Sequence, residues 1–253
     1  MRFLGSRLRI SAIVFVFATI IAAKPASALC SNTNLNGVYG YYHGRPGGSG
    51  TLRAVVGQFT ADGQGNLTGS WTMSTSGAIS TGTFTGSYSI AKNCTGTLAF
   101  SSEDIGPANY NIVLDHNHLG FQMIQTDNTV TQPGFGQSQG VVTCGLSGKK
   151  QTFATSLLGV LFSTSNAEAI VGQLTLDGKG NISGSETFSV GGTNTTVAVT
   201  GTYTQNADCS GTAQITPTGS AATNFNTIAV NAGKELLLIE TDNTTLIGGT
   251  AQE

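Results

Sequence analysis

Nearly the whole chain is one unit written twice, and this duplication constrains the fold more than any other feature. Residues 56–70 read VGQFTADGQGNLTGS and return 115 positions later, over 171–185, as VGQLTLDGKGNISGS. The same spacing relates further pairs: Tyr88 and Tyr203, Cys94 and Cys209, and the Thr-Asp-Asn triplets at 126–128 and 241–243. Self-similarity at a fixed period indicates a repeated structural unit. We therefore expect one fold in both copies, and each copy to fold on its own.

The start of the chain has the pattern of a secretory signal peptide. Arginines precede an apolar run over 10–23, and small residues suit cleavage after Ala28. The run is shorter than the roughly 20 residues that a membrane-spanning helix needs, so we expect no stable membrane anchor after cleavage. The predicted domains are a signal peptide over 1–28, a first repeat over 29–141 and a second over 142–253. The predicted location is secreted or periplasmic.

The exported part of the chain is acidic. Residues 29–253 hold seven basic and thirteen acidic side chains, a net charge near −6 with neutral histidines. Lys149 and Lys150 are adjacent, but a surface for a phosphate backbone needs a larger cluster of Lys and Arg. The charge therefore argues against nucleic acid as a partner.

Two cysteines fall at equivalent places in each copy, namely Cys30 and Cys94, then Cys144 and Cys209. Export permits disulfides, and four cysteines allow three pairings. The duplication favours Cys30 with Cys94 and Cys144 with Cys209, because each copy then closes on itself. The chain has no C-x-x-C motif, so zinc-ribbon and thioredoxin-like chemistry are not indicated.

Alternation of apolar and hydroxyl side chains predicts that each copy is built of β-strands. Over 83–90, apolar or Gly positions alternate with Thr and Ser, and 198–204 repeats the alternation. This pattern is typical of a half-buried strand, and no segment shows a convincing helical period. The first copy contains eight predicted strands, near 36–43, 53–61, 66–74, 81–90, 95–101, 109–115, 119–126 and 129–137.

Eight consecutive strands per copy favour an all-β fold of two tandem antiparallel up-and-down barrels, because closure removes exposed strand edges. Two-sheet β-sandwiches are the alternative. Pro133 counts against complete closure, since proline cannot donate to a ladder. One outer-membrane barrel of about sixteen strands is a further alternative, against which the cysteine pairs and the self-contained copies count.

The repeated Asp-Gly-x-Gly-Asn segments at 62–66 and 177–181 are predicted to be hairpin turns, because their glycines supply the positive φ that a tight turn needs. A calcium loop is the alternative. It requires a bidentate Glu at its twelfth position, where this chain has Met73 and Phe188. The mismatch favours the turn.

Three sequence features occur together: the leader, the motif D-G-x-G-N-[LI]-x-G-S at 62–70 and 177–185, and the motif C-[TS]-G-T at 94–97 and 209–212. With these features the chain resembles small secreted bacterial β-barrel domains that are similar to the allene-oxide-cyclase and calycin barrels. The resemblance implies calycin-like barrels in both repeats. No cyclase active-site residue can be placed on this chain, so the resemblance implies a fold and not an activity.

Two motifs suggest chemistry but lack the context for it. Residues 136–140 match G-x-S-x-G, yet Ser138 precedes a strand-like segment and no His follows it. His116 and His118 resemble half of a metal site, but the second copy has no His there, so we expect an exposed loop tip. No catalytic residue, metal site or cofactor is predicted.

Trp71 and Glu186 are the candidate ligand-binding residues. They hold equivalent positions on a strand whose neighbours Leu67 and Ile182 indicate an inward face. A carboxylate on that face is costly to bury unpaired, so Glu186 lies near a barrel mouth or serves a ligand. An eight-stranded barrel is wide enough to be filled or to hold one small ligand. We therefore expect each copy to enclose a small pocket, lined by Trp71 or by Glu186.

These features favour a secreted, non-catalytic binding or structural module, with a small apolar or carbohydrate molecule as the expected ligand. The alternative is an enzyme, cyclase-like or isomerase-like, with a small active site in the barrel lumen. A cleft that contains a carboxylate of strongly raised pKa would favour the enzyme.

Overall fold

The computed structural model describes residues 29–45, 52–127, 132–140 and 144–253. The predicted signal peptide over 1–28 and the predicted boundary between 141 and 142 lie outside these residues. Within the described residues, no helix combines the length and the apolar character needed to cross a bilayer.

Sixteen strands make up most of the described chain. Barrel 1 contains β1 Asn36–Arg45, β2 Arg53–Asp62, β3 Asn66–Thr75, β4 Ala78–Ile90, β5 Thr95–Ser102, β6 Gly106–Leu114, β7 Gly120–Gln125 and β8 Pro133–Ser138. Barrel 2 contains β9 Gln151–Leu161, β10 Asn166–Leu176, β11 Asn181–Val190, β12 Thr193–Gln205, β13 Ser210–Pro217, β14 Thr223–Val230, β15 Glu235–Glu240 and β16 Thr245–Gln252.

Each copy closes on itself. Consecutive strands pair antiparallel, and the last strand of each copy pairs with its own first strand, β8 with β1 and β16 with β9. The prediction of two tandem eight-stranded barrels is confirmed. The β-sandwich and the single sixteen-stranded barrel are wrong, because each hydrogen-bond ladder returns to the strand at which it began.

Pro133 does not prevent closure. It is the first residue of β8 and lies opposite Ile124 of β7. The closing ladder between β8 and β1 begins one residue later, with Gly134 opposite His43. Proline is tolerated at the first position of a strand, where the missing N–H is not needed.

The two barrels share one register. Arg53 lies opposite Thr75 in barrel 1, and Glu168 lies opposite Val190 in barrel 2, which preserves the 115-residue spacing. From β2 to β8 this spacing relates every inward position of barrel 1 to one of barrel 2. For the first strands, β1 and β9, the spacing between equivalent residues is one residue shorter, since the pair Tyr39 and Phe59 corresponds to the pair Phe153 and Leu174.

One end of each barrel is sealed by the segment that precedes its first strand. Leu35 and Leu146 are buried there. The hydroxyl of Tyr88 donates a hydrogen bond to the carbonyl oxygen of Leu35 at 2.6 Å, and Tyr203 reaches that of Leu146 at 3.4 Å. We call this the closed end and the opposite end the open end.

The disulfides tie the same sealing segments in place. Cys30 is bonded to Cys94, and Cys144 to Cys209, as the duplication favoured. In each barrel the second cysteine directly precedes the fifth strand. Each bridge therefore fastens the sealing segment to a turn at the closed end.

The repeated Asp-Gly-x-Gly-Asn segment is a hairpin turn. In barrel 1, Asp62 Oδ1 accepts the backbone N–H groups of Gln64 at 2.7 Å, Gly65 at 2.9 Å and Asn66 at 3.0 Å. Oδ2 accepts the side-chain amide of Asn66 at 2.6 Å. These bonds, that of the Asn66 side chain first, lower the pKa of Asp62 to about 2. Both oxygens of this carboxylate are therefore hydrogen-bonded within the turn itself.

The barrels pack against each other through an apolar interface. It consists of outward-facing side chains of β2 in barrel 1 and of β14, β15 and β16 in barrel 2: Ala54, Val56, Ile228, Val230, Leu237, Ile239 and Leu246. Gly40 of β1 lies against this interface, where an added Cβ would come 2.5 Å from Val230 Cγ1 and 2.8 Å from Ile228 Cγ2. The two copies therefore share a buried surface besides their separate cores.

Candidate functional site

The two barrels differ in what fills their interiors. Barrel 1 is packed with aromatic rings: Phe84 and Phe100 have centroids 4.4 Å apart, and Tyr41 and Phe59 lie at 5.9 Å. Barrel 2 has smaller side chains at the equivalent positions: Val199 for Phe84, Ile215 for Phe100, Thr155 for Tyr41 and Leu174 for Phe59. Since the register is the same, barrel 2 encloses less side-chain volume.

Trp71 fills the open end of barrel 1. Its side chain is 4% exposed, and it lies on β3 between Gly57 of β2 and Gly82 of β4. A Cβ at Gly82 would come 2.6 Å from Trp71 Cζ2, so glycine there makes room for the indole ring. The structure places Trp71 in the packed core of barrel 1.

A buried polar group lies beside this packed end. His43 Nδ1 is 3.0 Å from Gln132 Oε1, and His43 Nε2 is 3.2 Å from the hydroxyl of Tyr110. Burial lowers the pKa of His43 to about 3, so the ring is neutral at ordinary pH. Both ring nitrogens therefore have partners within barrel 1.

Barrel 2 instead has a cavity of about 390 Å³ at its open end. Glu186 of β11 takes the place of Trp71, and Gly172 is retained opposite it, but Val197 replaces Gly82 on the other side. The cavity walls are largely apolar and include Leu157, Ile170, Phe188, Ile215, Phe225 and Ile247. A cavity of this size and lining is typical of a small-molecule site.

Three glutamates line the cavity, each from a different strand. Glu168 of β10, Glu186 of β11 and Glu240 of β15 are 8%, 3% and 2% exposed. Burial raises the pKa of Glu186 and of Glu240 to about 7, and it raises the pKa of Glu168 as well. Among the described residues that line the cavity there is no Lys, Arg or His.

The carboxylates have few hydrogen-bond donors. Thr155 Oγ1 is 3.5 Å from Glu186 Oε1, the hydroxyl of Thr245 donates to Glu240 Oε1, and the backbone N–H of Ile247 also favours the ionised form of Glu240. Glu240 Oε2 is buried and has no hydrogen-bond partner among the described residues. A buried acceptor without a donor costs free energy.

The aspartate of the repeated Thr-Asp-Asn triplet, Asp127 or Asp242, supports the open end of each barrel. Asp242 accepts the backbone N–H and the side-chain amide of Asn224 at 2.7 and 2.9 Å. Asp127 makes the same two bonds with Asn109, both at 2.9 Å. Asp242 lies on the rim of the cavity and is structural, because both its oxygens are already bonded.

The two histidines of the 116–118 segment do not act together. His116 is exposed as expected, but the expectation was wrong for His118, which is half-buried at the closed end. Its Nε2 lies 3.3 Å from Cys30 Sγ, and Asn34 Nδ2 lies 2.9 Å from its Nδ1. His118 thus packs on the disulfide of Cys30 and Cys94, whose sulfurs are joined to each other and are not free as metal ligands.

Ser138 and a groove between the barrels are weaker candidates. Ser138 ends β8, its hydroxyl accepts the backbone N–H of Gly140 at 3.1 Å, and no helix follows the strand in the described residues up to Gly140. The groove, of about 410 Å³, contains Asp208. Asp208 Oδ2 accepts the amide of Gln58 at 3.0 Å, and Oδ1 accepts the hydroxyl of Ser210 at 2.6 Å. This carboxylate is already used within the chain.

Sequence reasoning identified Glu186 but missed Glu168 and Glu240. A difference between the two copies could have identified both residues, as it did Glu186. Glu168 stands where barrel 1 has Arg53, and Glu240 stands where barrel 1 has Gln125. Those changes place two more carboxylates at the open end of barrel 2 alone.

No protein-family model matches the chain, and no curated protein matches it in sequence. One similar solved structure is the isotype 1 transferrin binding protein B from serogroup B Neisseria meningitidis. It is 7% identical, with a TM-score of 0.38, over 86% of this chain and 75% of that chain. These findings assign no function to the chain.

Proposed function

We propose that this chain is an exported binding module in which barrel 2 takes a small ligand at its open end and barrel 1 is structural. The observation that carries the proposal is a cavity of about 390 Å³ lined by three glutamates, one of which, Glu240, has a buried Oε2 atom without a hydrogen-bond partner among the described residues. Barrel 1 also has buried polar atoms without partners, such as Trp71 Nε1 and Arg53 Nε, but there the ring of Trp71 fills the space that the cavity occupies in barrel 2. Keeping glutamates in this cavity costs stability, which is typical of a functional site.

The test is a fragment screen on the exported chain by NMR of isoleucine methyl groups. Ile170 and Ile247 line the cavity and report binding there, whereas Ile112 in the core of barrel 1 is the internal control. Fragments should shift the cavity signals and leave Ile112 unchanged. A library that shifts neither cavity signal would overturn the proposal.

A matched pair of variants assigns the hits to the cavity. Ile215→Phe copies Phe100 of barrel 1 and fills part of the cavity, whereas Val113→Phe adds the same ring on the outer face, where Val113 is 52% exposed. Hits should be lost in Ile215→Phe and retained in Val113→Phe. Equal binding to both variants would place the ligand elsewhere.

The second candidate is an enzyme, and one observation favours it. Two carboxyls in one cavity have pKa values of about 7, near the range in which a group can act as acid or base at neutral pH. Isomerisation or cyclisation of a bound substrate by Glu186 and Glu240 would suit this pair. The discriminating measurement is the NMR spectrum of each bound hit over hours, in which new product signals would favour the enzyme.

Export is part of the proposal. The leader over 1–28 and the two disulfides both suit an oxidising compartment outside the cytoplasm of a bacterium. Amino-terminal sequencing of protein recovered from the periplasm or medium should begin at Leu29. Recovery of the full-length chain from the cytoplasm with free thiols would contradict it.

A further inference from the structure

We propose that the ligand of barrel 2 is a small organic cation, an amine with an apolar body, whose ammonium group is bound by Glu186 and Glu240. The inference rests on the proposed function and names the chemistry of its ligand. It departs from the apolar or carbohydrate ligand that the sequence suggested.

The first support is the distribution of charge along barrel 2. Its lysines all lie in segments at or next to the closed end: Lys149, Lys150, Lys179 and Lys234. The open end holds the three cavity glutamates and Asp242, with no basic residue among the described lining. A cleft of one sign with low-dielectric walls attracts ligands of the opposite charge.

The second support is the unmet hydrogen-bonding capacity of the carboxylates. Glu240 is 2% exposed, and its Oε2 has no partner among the described residues. Glu186 has the hydroxyl of Thr155 at 3.5 Å, which is long for a hydrogen bond. In their ionised form these carboxylates accept and do not donate, so the partner they lack is a donor, and an ammonium group supplies up to three.

The third support excludes a bare metal ion as the occupant. The ligand atoms of the three glutamates do not gather within 4.8 Å of one another, whereas a metal ion needs its ligands close around it. The cavity of about 390 Å³ is also far larger than an ion and has apolar walls such as Phe188 and Ile247. An organic body of matching size fills this space.

The negative charges around Glu240 repel one another, and a bound cation relieves this repulsion more than a neutral ligand does. Burial is the main cause of the raised pKa of Glu240, and the negative charges of Asp242 and Glu168 add to it. Glu168, Glu186 and Asp242 face the cavity from β10, β11 and the turn between β15 and β16. A bound positive charge favours the ionised carboxylates, so binding should release protons at neutral pH.

The experiment is isothermal titration of the exported chain with amines of varied aryl and alkyl bodies, among them 2-phenylethylamine. Each amine is matched by the alcohol and the carboxylate of the same skeleton, and glucose and calcium chloride are added to the panel. We expect at least one amine to bind more tightly than its matched alcohol by about tenfold, with the carboxylate weaker still. The heat of amine binding should depend on the buffer, because protons are released.

Variants connect this preference to the glutamates. Glu186→Gln and Glu240→Gln should each reduce the preference for amine over alcohol to less than about threefold, because the charge is lost while the shape is kept. Glu253→Gln removes the same charge from an exposed position at the closed end and should leave the preference unchanged. The methyl signal of Ile182, which lies in the core of barrel 2 and outside the cavity lining, reports that the variants are folded.

The outcomes separate the inference from the function on which it rests. If alcohols or glucose bind in the cavity as well as amines do, the cationic ligand is wrong and the binding function stands. If calcium displaces the amines or binds alone, the site is a metal site and the inference is wrong. If no member of the panel binds but the fragment screen shifts Ile170 or Ile247, the cationic ligand is wrong and the binding function stands; if neither experiment shows binding, both are overturned.

Discussion

Trp71 and Glu186 hold the same place in two copies of one barrel, each opposite a glycine of the preceding strand, Gly57 and Gly172. On the following strand, Trp71 meets Gly82 whereas Glu186 meets Val197. The indole ring occupies the space that Gly82 leaves, and the shorter carboxylate leaves a cavity open. This exchange, together with the smaller Val199, Ile215, Thr155 and Leu174, separates a packed barrel from one that can receive a ligand.

The first prediction concerns stability and pH. Burial raises the pKa of Glu186 and of Glu240 from 4.5 to about 7. Between these values the unfolded chain ionises while the folded chain keeps its protons. Each group therefore lowers the free energy of unfolding, by as much as about 1.4 kcal/mol per pH unit, as the pH rises through this window. Above the folded pKa the loss is complete and stays constant.

The measurement is urea unfolding of the wild type and of a Glu186→Gln, Glu240→Gln double variant from pH 4.5 to 8. Burial of His43 lowers its pKa to about 3, so His43 destabilises the folded chain as the pH falls below 6.5, but it does so in both proteins. The advantage of the variant should grow with pH up to about 7 and then level off. An advantage that does not change with pH would contradict the prediction.

The strand order and both disulfides could be predicted because their signals are local or repeated. Alternation along 83–90 marks one buried face without knowledge of its partner. The duplication selected the pairing of Cys30 with Cys94 from three possibilities. The cavity could not be predicted in this way, because it depends on the summed volume of side chains from all eight strands of barrel 2.

The interface between the barrels was missed although the copies differ there. The segment 235–240 reads ELLLIE, an unbroken apolar run that indicates burial on both faces of a strand. Its counterpart in barrel 1 places the exposed Gln122 where barrel 2 has the buried Leu237. That contrast marks β15 as a strand with a second partner.

The second prediction concerns Trp71. Trp71→Ala should lower the free energy of unfolding by about 3–5 kcal/mol, because it removes a large buried ring and leaves a cavity. Glu186→Ala at the equivalent position should cost much less, since a cavity already exists there and a buried carboxylate is removed. Denaturant unfolding of both variants at pH 7.5 tests the contrast. Equal losses would mean that the two open ends are packed alike.

The third prediction concerns the disulfide of barrel 2. Replacing Cys144 and Cys209 together by Ser should cost about 2–5 kcal/mol, because the bridge limits the freedom of the unfolded chain. The bonded cysteines are 65 residues apart. Chemical unfolding of the double variant against the wild type measures the loss. The wild type treated with a reductant is the control and should lose at least as much, since reduction also opens Cys30–Cys94.

The fourth prediction concerns the coupling of the barrels. Leu237→Gln gives barrel 2 the residue of barrel 1 and places an amide in the apolar interface, where a buried group without a partner costs about 1–3 kcal/mol. Because Leu237 faces outward, the core of barrel 2 stays intact and only the docking of the two barrels weakens. Calorimetry should resolve two unfolding transitions in this variant.

The control is Ile124→Gln, an apolar residue of β7 that is 47% exposed and outside the interface. It should change the free energy of unfolding by less than about 0.5 kcal/mol and leave the number of transitions unchanged. Because each barrel has its own closed ladder, core and disulfide, both should remain folded after they separate. Complete unfolding of the Leu237→Gln protein in one transition would mean instead that neither copy is stable without the other.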